Sequence, residues 1–364
     1  MAFIPILPLS GKHCTQPPPE RTETVTDQLK WGILATGNIA HTFAKGVQES
    51  ETGVLAAVGS RSQESADKFG DEFGIERRHP TYQDLLNDPE VDAVYIATPH
   101  TGHKEWAIKA AEAGKHILCE KPIAIRHSDA VEIIEAAKKN DVFLMEAFMY
   151  RCHPQISKVV SLIQDGAIGK VKVIKATFSF NTDYDPEERL FDRAFGGGAI
   201  LDVGCYPVSI SRLVAGAATG KGFEEPIELK GMGELSKETG CDLIAAANLR
   251  FPGDIIAQLS TGIQLEQENI VEVCGSEGRI LITHPWLPNI EPGVPKVILI
   301  RDTESDFEEF RFDGLPGLYS YEADAVAEYI EARQVPSPMM SWEDTLGNMK
   351  TLDWWLKEVG VIYE

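Results

Sequence analysis

From Lys30 onward the first part of the chain repeats one rhythm: a short apolar run, a turn, then a stretch with apolar residues at helical spacing. Apolar runs fall at 29–35, 54–59, 91–98, 116–119 and 142–145, with helical patterns at 38–48, 63–73, 82–86, 103–113 and 128–139 between them. Alternation of this kind folds into a parallel sheet with helices on both faces. The run at 91–98 is almost continuously apolar, as expected of a strand covered on both sides.

Beyond Arg151 the rhythm changes. Strand patterns follow one another at 170–180, 227–234, 242–251, 255–261, 270–274, 278–282, 296–301 and 308–312, with helices expected at 156–164, 198–215, 321–332 and 342–359. Strands in succession imply an antiparallel or mixed sheet. The fold class is therefore an α/β N-terminal Rossmann domain, a doubly wound parallel sheet, plus an α+β C-terminal domain with a large, mostly antiparallel sheet. A length of 364 residues suits two domains, with expected bounds 29–151 and 152–364. Residues 1–28 form a Pro-rich arm in which Pro17, Pro18 and Pro19 favour extended geometry. A free tail and an ordered arm on a neighbouring subunit are both open.

The first turn, Ala35-Thr36-Gly37-Asn38-Ile39-Ala40, stands where a dinucleotide fingerprint would, as Ala-x-Gly-x-x-Ala. Gly37 lets the backbone approach a pyrophosphate, which then rests on the N-terminus of the following helix. Alanines in the outer positions still permit a tight turn. After the second strand come Ser60 and Arg61, where an acidic residue would grip the ribose hydroxyl of NAD. A guanidinium suits a 2′-phosphate instead, so the expected cofactor is NADP in preference to NAD.

Two further clusters end strands: Thr98, Pro99, His100, Thr101, Gly102 and His103 after 91–98, and Glu120, Lys121 and Pro122 after 116–119. Ligands of open parallel sheets bind outside the carboxyl ends of the strands, so both clusters should line one crevice with the nucleotide. A lysine directly after a buried strand and before a proline is poorly explained as surface decoration.

Charge narrows the partners. With 34 Lys and Arg against 56 Asp and Glu, the formal net charge is −22. Such a surface repels nucleic acid and anionic membrane, which leaves small molecules or other subunits. The six cysteines, Cys14, Cys119, Cys152, Cys205, Cys241 and Cys274, form no CxxC pair and read as reduced thiols of a cytoplasmic protein. The start lacks a basic n-region, and no apolar stretch is expected to approach the roughly 18 residues of a membrane span. No His, Cys or acid spacing calls for a metal.

The chain resembles the Gfo/Idh/MocA oxidoreductases. The carriers are ATGNIA, ATPHTGH (97–103), CEKP (119–122), MEAFMYR (145–151) and GGGAILDVGCYP (196–207). The resemblance implies that Lys121, Asp202 and Tyr206 are catalytic, with Tyr206 standing where many members carry His. This version looks like the branch holding dimeric dihydrodiol dehydrogenase and NADP-dependent D-xylose dehydrogenases. Four residues separate Asp202 from Tyr206, which places them on one helix face. A nearby ammonium and the positive charge of the oxidised nicotinamide should lower the phenol's pKa, so that Tyr206 exchanges the substrate's hydroxyl proton while Lys121 steadies the charge. The resemblance also places His100, His103, Glu146 and Arg151 near the cofactor, and Met149 beside Lys121, Asp202 and Tyr206 at the substrate. That branch tends to carry Trp at the Met149 position, so an aromatic dihydrodiol is less expected here than a sugar or polyol oxidised at an aldose C1. Asp183, Tyr184, Asp185 and Arg193 could offer groups for hydroxyls. Alternatives are an enzyme like glucose–fructose oxidoreductase with tightly held NADP, a trans-dihydrodiol dehydrogenase, and an NADP-sensing regulator without catalysis. The family further implies a homodimer or homotetramer through the second sheet, with strands across 242–274.

Overall fold

The computed structural model describes residues 28–301 and 306–363. The expected Pro-rich arm, with Pro17 to Pro19, lies outside the described residues, apart from its last position. The chain begins β1 (Leu29–Leu34), α1 (Asn38–Glu49), β2 (Gly53–Gly59), α2 (Gln63–Phe73), β3 (Arg77–His79), α3 (Tyr82–Leu86), β4 (Ala93–Ile96), α4 (His100–Glu112), β5 (His116–Glu120), α5 (His127–Lys139) and β6 (Leu144–Ala147). These strands form one parallel sheet in the order β3-β2-β1-β4-β5-β6. The order reverses between β1 and β4, and the strand ends there open a crevice.

Two local differences from the sequence reading matter. β4 stops at Ile96 and α4 starts at His100, so 97–99 peel away from the sheet into the crevice. β3 is a polar edge strand of three residues, Arg-Arg-His, with no apolar run to announce it. Beneath the crevice the core is aromatic: Phe43 of α1 stacks on Tyr95 of β4 with centroids 3.9 Å apart, and Trp31 meets Phe43 edge-on at 5.1 Å.

The chain continues through α6 (Met149–Cys152), α7 (Pro154–Gln164), β7 (Val171–Ser179), a 3₁₀ turn (Arg193–Phe195), a π-helical turn (Ile200–Gly204), α8 (Cys205–Thr219), β8 (Glu228–Leu235), β9 (Asp242–Phe251) and β10 (Ile255–Gly262). It ends with β11 (Val271–Gly275), β12 (Gly278–Ile282), β13 (Lys296–Arg301), β14 (Phe307–Arg311), α9 (Ser320–Tyr329) and α10 (Trp342–Val359). The second sheet has eight strands in the order β14-β13-β12-β11-β7-β10-β9-β8, antiparallel except for the β7–β10 pair.

The helix across this sheet corrects the expectation that no stretch approaches membrane-spanning length. Arg193–Thr219 is long and apolar enough by composition, but its apolar window is entirely buried. The buried part is the π turn and α8, apolar all round because protein surrounds them. α9 packs on α1 and α10 on α5, so the last two helices tie the second unit back to the first.

Candidate functional site

A crevice of about 1090 Å³ runs across the carboxyl ends of the parallel strands to the N-terminal end of α8. At one end is the first turn. Ala35 has φ +84°, a left-handed conformation that an L-residue adopts at some strain and that a fingerprint glycine would take freely. Gly37 precedes α1, and a Cβ built there would meet nothing within 4 Å, because that space is open crevice. No side chain caps α1 and its first turn holds no acid. Its free N–H groups therefore face an open, anion-sized space.

Beside this turn the Thr36 hydroxyl lies 3.1 Å from that of Ser60 at the end of β2. Ser62 caps α2 by accepting from the Ser65 N–H, which leaves Arg61 exposed at the crevice rim between them. Tyr82 and Trp106 meet edge-to-face at 5.0 Å and line the same end. The donor set fits a dinucleotide: backbone N–H groups for the diphosphate, hydroxyls and a guanidinium for the ribose side, and rings for a base.

At the other end, Lys121 leaves β5 and crosses to the second unit. Its ammonium donates to the Asp202 carbonyl oxygen at 2.8 Å, lies 3.7 Å from the Asp202 carboxylate, and sits 5.4 Å from the Tyr206 ring centre. Burial pulls the lysine pKa down, but Asp202, Cys205 and Glu120 outweigh it and hold it above its ordinary value. Burial pushes the Asp202 carboxyl up; Lys121, Arg189 at 3.7 Å and His100 at 4.0 Å outweigh that and hold it below the usual carboxylate range. The pair is thus a cation and an anion at neutral pH.

Asp202 belongs to the π-helical turn and Tyr206 to the first turn of α8, so the expected single α-helical face is corrected: the wider turn precedes the tyrosine, yet both side chains line the crevice. Tyr206 is buried among Phe148, Tyr150, Phe178 and Trp286, and its hydroxyl donates to the Met149 sulfur at 3.4 Å. The lysine by itself does not lower the phenol pKa. Burial, followed by Tyr319, Cys205, Glu120 and Glu322, pushes Tyr206 well above its ordinary value. The phenol is a proton donor in this state.

Thr98, Pro99 and His100 line the crevice, as do Asn38, Ile39, Glu120 and Met149. Burial brings His100 down to about 3, and its Nδ1 meets the Gly196 carbonyl at 3.1 Å. His103 also lines the crevice, but its ring nitrogens lie 2.8 Å from the Pro122 carbonyl and 2.9 Å from that of Thr98. Burial holds it neutral, down to about 4. Its ring ties the end of β4 to the turn after Lys121. The Glu120 carboxyl accepts from the Tyr95 hydroxyl and the Lys121 N–H, and burial raises its pKa.

Two expected cofactor residues are not at the crevice wall. Arg151 is fully buried and donates to Asp344 at 2.7 Å, to the Ser209 hydroxyl at 2.8 Å and to the Pro338 carbonyl. The first turn of α10 brings Asp344 between Arg151 and Arg212, and a buried guanidinium needs that counter-charge more than a remote phosphate. Glu146 accepts the Ile123 N–H at 2.8 Å behind the wall, and burial pushes its carboxyl up to about 7. The loop before the helix also differs from expectation. Tyr184 bonds Ser236 at 2.8 Å and Arg193 donates to the Ile362 carbonyl, whereas Arg189 lines the crevice instead of Asp183, Tyr184, Asp185 or Arg193. Arg189, Tyr319, Leu287, Tyr82 and Trp106 carried no local motif and enter only through the fold. Among the described residues no group of three or more His, Cys, Asp or Glu side chains is placed to hold a metal.

Comparison with known proteins agrees with this geometry. Residues 29–148 match the family model described as "Oxidoreductase family, NAD-binding Rossmann fold", and 156–281 match the GFO/IDH/MocA C-terminal domain. A trans-1,2-dihydrobenzene-1,2-diol dehydrogenase of Xenopus laevis is 32% identical over 343 residues, 92% of this chain and 99% of its own. The human protein of that name is 29% identical, over 92% of this chain and 98% of its own. Among solved structures, a 3-ketoreductase from Actinomadura kijaniata in complex with NADP and TDP-benzene superposes with TM-score 0.80 at 26% identity, covering 93% of this chain and 100% of that one. An aldose-aldose oxidoreductase from Caulobacter crescentus gives TM-score 0.79 at 25% identity, covering 91% and 97%. On the two family models and the whole-length relatives, the chain belongs to the Gfo/Idh/MocA oxidoreductases and carries their NAD(P)-binding Rossmann domain.

Proposed function

We propose that the protein is an NADP-dependent oxidoreductase acting on a CH–OH group of a sugar or polyol, with C1 of an aldose as the position oxidised. The observation that carries this reading is the meeting of Lys121, Asp202 and Tyr206 at one end of a crevice whose other end is the uncapped N-terminus of α1. Thr36, Gly37, Asn38 and Ile39 would hold the diphosphate, with Ser60 and Arg61 at the 2′-phosphate. When bound, the nicotinamide supplies or accepts the hydride.

The chain's own groups handle the proton. In the reducing direction the Tyr206 O–H gives its proton to the substrate's carbonyl oxygen as hydride adds to the carbon, leaving an alcohol and a phenolate. Lys121, fixed by the Asp202 carbonyl and with two N–H directions left, steadies the charge on both oxygens. Oxidation runs the same path backwards and needs the phenolate first, which the ammonium favours and burial opposes. Asp202 holds Lys121 charged and can accept from a neighbouring substrate hydroxyl.

Met149 at the substrate end supports an aliphatic polyol over a dihydrodiol of an aromatic ring, because a thioether cannot stack like an indole. Assay of aldoses, polyols and a trans-dihydrodiol with NADP and NAD, followed by absorbance of the reduced cofactor, tests the reading. Turnover confined to the diol, or absent altogether, overturns it. The likeness to an aldose-aldose oxidoreductase favours a second reading in which NADP stays bound and hydride passes between two sugars; NADP retained through gel filtration would select it. A homodimer or homotetramer through the outer face of the eight-stranded sheet completes the proposal, with analytical ultracentrifugation as its test.

A further inference from the structure

Asp242 opens β9 with its side chain fully buried, far from any solvent that would satisfy a carboxylate. One oxygen accepts the Ile200 N–H at 2.6 Å, and Ile200 is the first residue of the π-helical turn that carries Asp202. The other oxygen lies against Gly198, where a Cβ would come within 2.3 Å of it. Gly198 has φ +112°, so both space and backbone demand glycine there. The Tyr363 hydroxyl donates to the Gly197 carbonyl from the chain's last segment, and Thr261 of β10 reaches the Ala199 carbonyl at 3.5 Å.

The first N–H groups of a helical turn have no partner within the helix. In a π turn the closing bonds reach one residue further than in an α-helix, so its start is held less firmly by its own ladder. Here the backbone just before Asp202 is held from outside, by the adjacent ends of β9 and β10 and by the C-terminal segment. A buried carboxylate is a costly way to hold a loop, which calls for a reason beyond stability.

We propose that Asp242 is a positioning residue for the reaction: its carboxyl fixes the N-terminal end of the π turn so that Asp202 and Tyr206 face Lys121, with Tyr363 as its auxiliary clamp. Burial pushes the Asp242 carboxyl up to about 7. Either protonation state leaves an acceptor oxygen for Ile200. The proposal rests on reading Lys121, Asp202 and Tyr206 as the reacting groups.

The test compares kcat, the Kd for NADP and the pH profile in Asp242→Ala, Asp242→Asn, Tyr363→Phe and Tyr206→Phe, using the substrate that gives turnover. A turn displaced by about 1 Å should lower kcat of Asp242→Ala by about 10- to 100-fold. The Kd for NADP should stay at the parent value, since the groups proposed to hold the diphosphate and ribose lie in turns of the first unit, after β1 and β2. Asp242→Asn, which keeps an acceptor oxygen, should restore most of kcat. A folded Asp242→Ala with parental kcat, or an Asn variant as slow as the Ala one, overturns the proposal. Should Asp242→Ala fail to fold, Tyr363→Phe decides, because a parental kcat and pH profile there overturn the clamp. A merely structural role would lower the melting temperature and leave kcat per folded site unchanged. Full turnover by Tyr206→Phe would instead defeat the underlying catalytic reading, whatever the Asp242 variants do.

Discussion

Asp202→Asn separates charge from position at this site. The Lys121 ammonium is held by the Asp202 backbone carbonyl at 2.8 Å, a contact the substitution leaves intact, while the carboxylate 3.7 Å away loses its charge. At an effective dielectric constant of about 20, a pair at that distance interacts by about 4 kcal/mol, equivalent to about 3 pH units. The crevice admits water and the lysine side chain is 16% exposed, so screening should reduce the shift to about 1 to 2 units. The sign follows from the balance at Lys121, where burial lowers the pKa and Asp202 is the largest opposing charge. Without Asp202 the lysine loses its proton at lower pH. The alkaline limb of kcat/KM in the reducing direction should therefore move to lower pH, with the Kd for NADP unchanged at neutral pH. An alkaline limb that superimposes on the parent's would refute the claim that Asp202 acts by keeping Lys121 charged.

Arg61→Ala should lower the preference for NADP over NAD by about 10-fold, the low end for a charge-assisted pair because Arg61 is exposed at the rim; an unchanged ratio of kcat/KM values would remove Arg61 from phosphate recognition. Tyr206→Phe should cut turnover by about 10²- to 10⁴-fold, the usual range for removing a proton-transfer group, while NADP binding, followed by quenching of protein fluorescence, persists. Asp344→Asn should destabilise the fold by about 3 to 5 kcal/mol in urea titration, because Arg151 and Arg212 then share no buried counter-charge; a loss below about 1 kcal/mol would contradict the role given to that network. Glu146 carries a folded pKa raised from 4.5 to about 7 by burial, so it lowers stability as pH rises from about 4.5 through about 7. Glu146→Gln should flatten that decline by at most about 3 kcal/mol, and denaturation curves with the parent's pH dependence would count against it.

Features with a local cause could be read from the chain. The apolar runs of β1, β4 and β5 required a parallel sheet, and the turn at Gly37 and the cluster at Lys121 followed from standing at strand ends. Arg61 was legible at the crevice rim because it stands two residues beyond the carboxyl end of β2. β3 was not legible, since Arg77–His79 has no apolar side chain and pairs only because β2 offers an edge. Arg189 and Tyr319 were equally silent. They lie in segments without a motif, brought to the crevice by the loop before the π turn and by the packing of α9 on α1.

Charge state and final partner were matters of three dimensions. MEAFMYR placed Arg151 two residues from Met149, yet α6 turns Arg151 into the core, where α10 supplies Asp344 from 193 residues away. The same is true of Tyr206: the sequence supplied a phenol four residues from an acid and a lysine after a distant strand, which with the charge of the oxidised nicotinamide argued for a lowered pKa. Burial among Phe148, Tyr150, Phe178 and Trp286 pushes the other way, and the lysine alone does not offset it. The sequence by itself determined the chemical types and their strand-end positions, because hydrophobic periodicity and turn chemistry act over a few residues. Only the tertiary structure decided which of those groups share the crevice and which proton each holds, because desolvation and Coulomb interaction depend on distances that only the assembled fold sets.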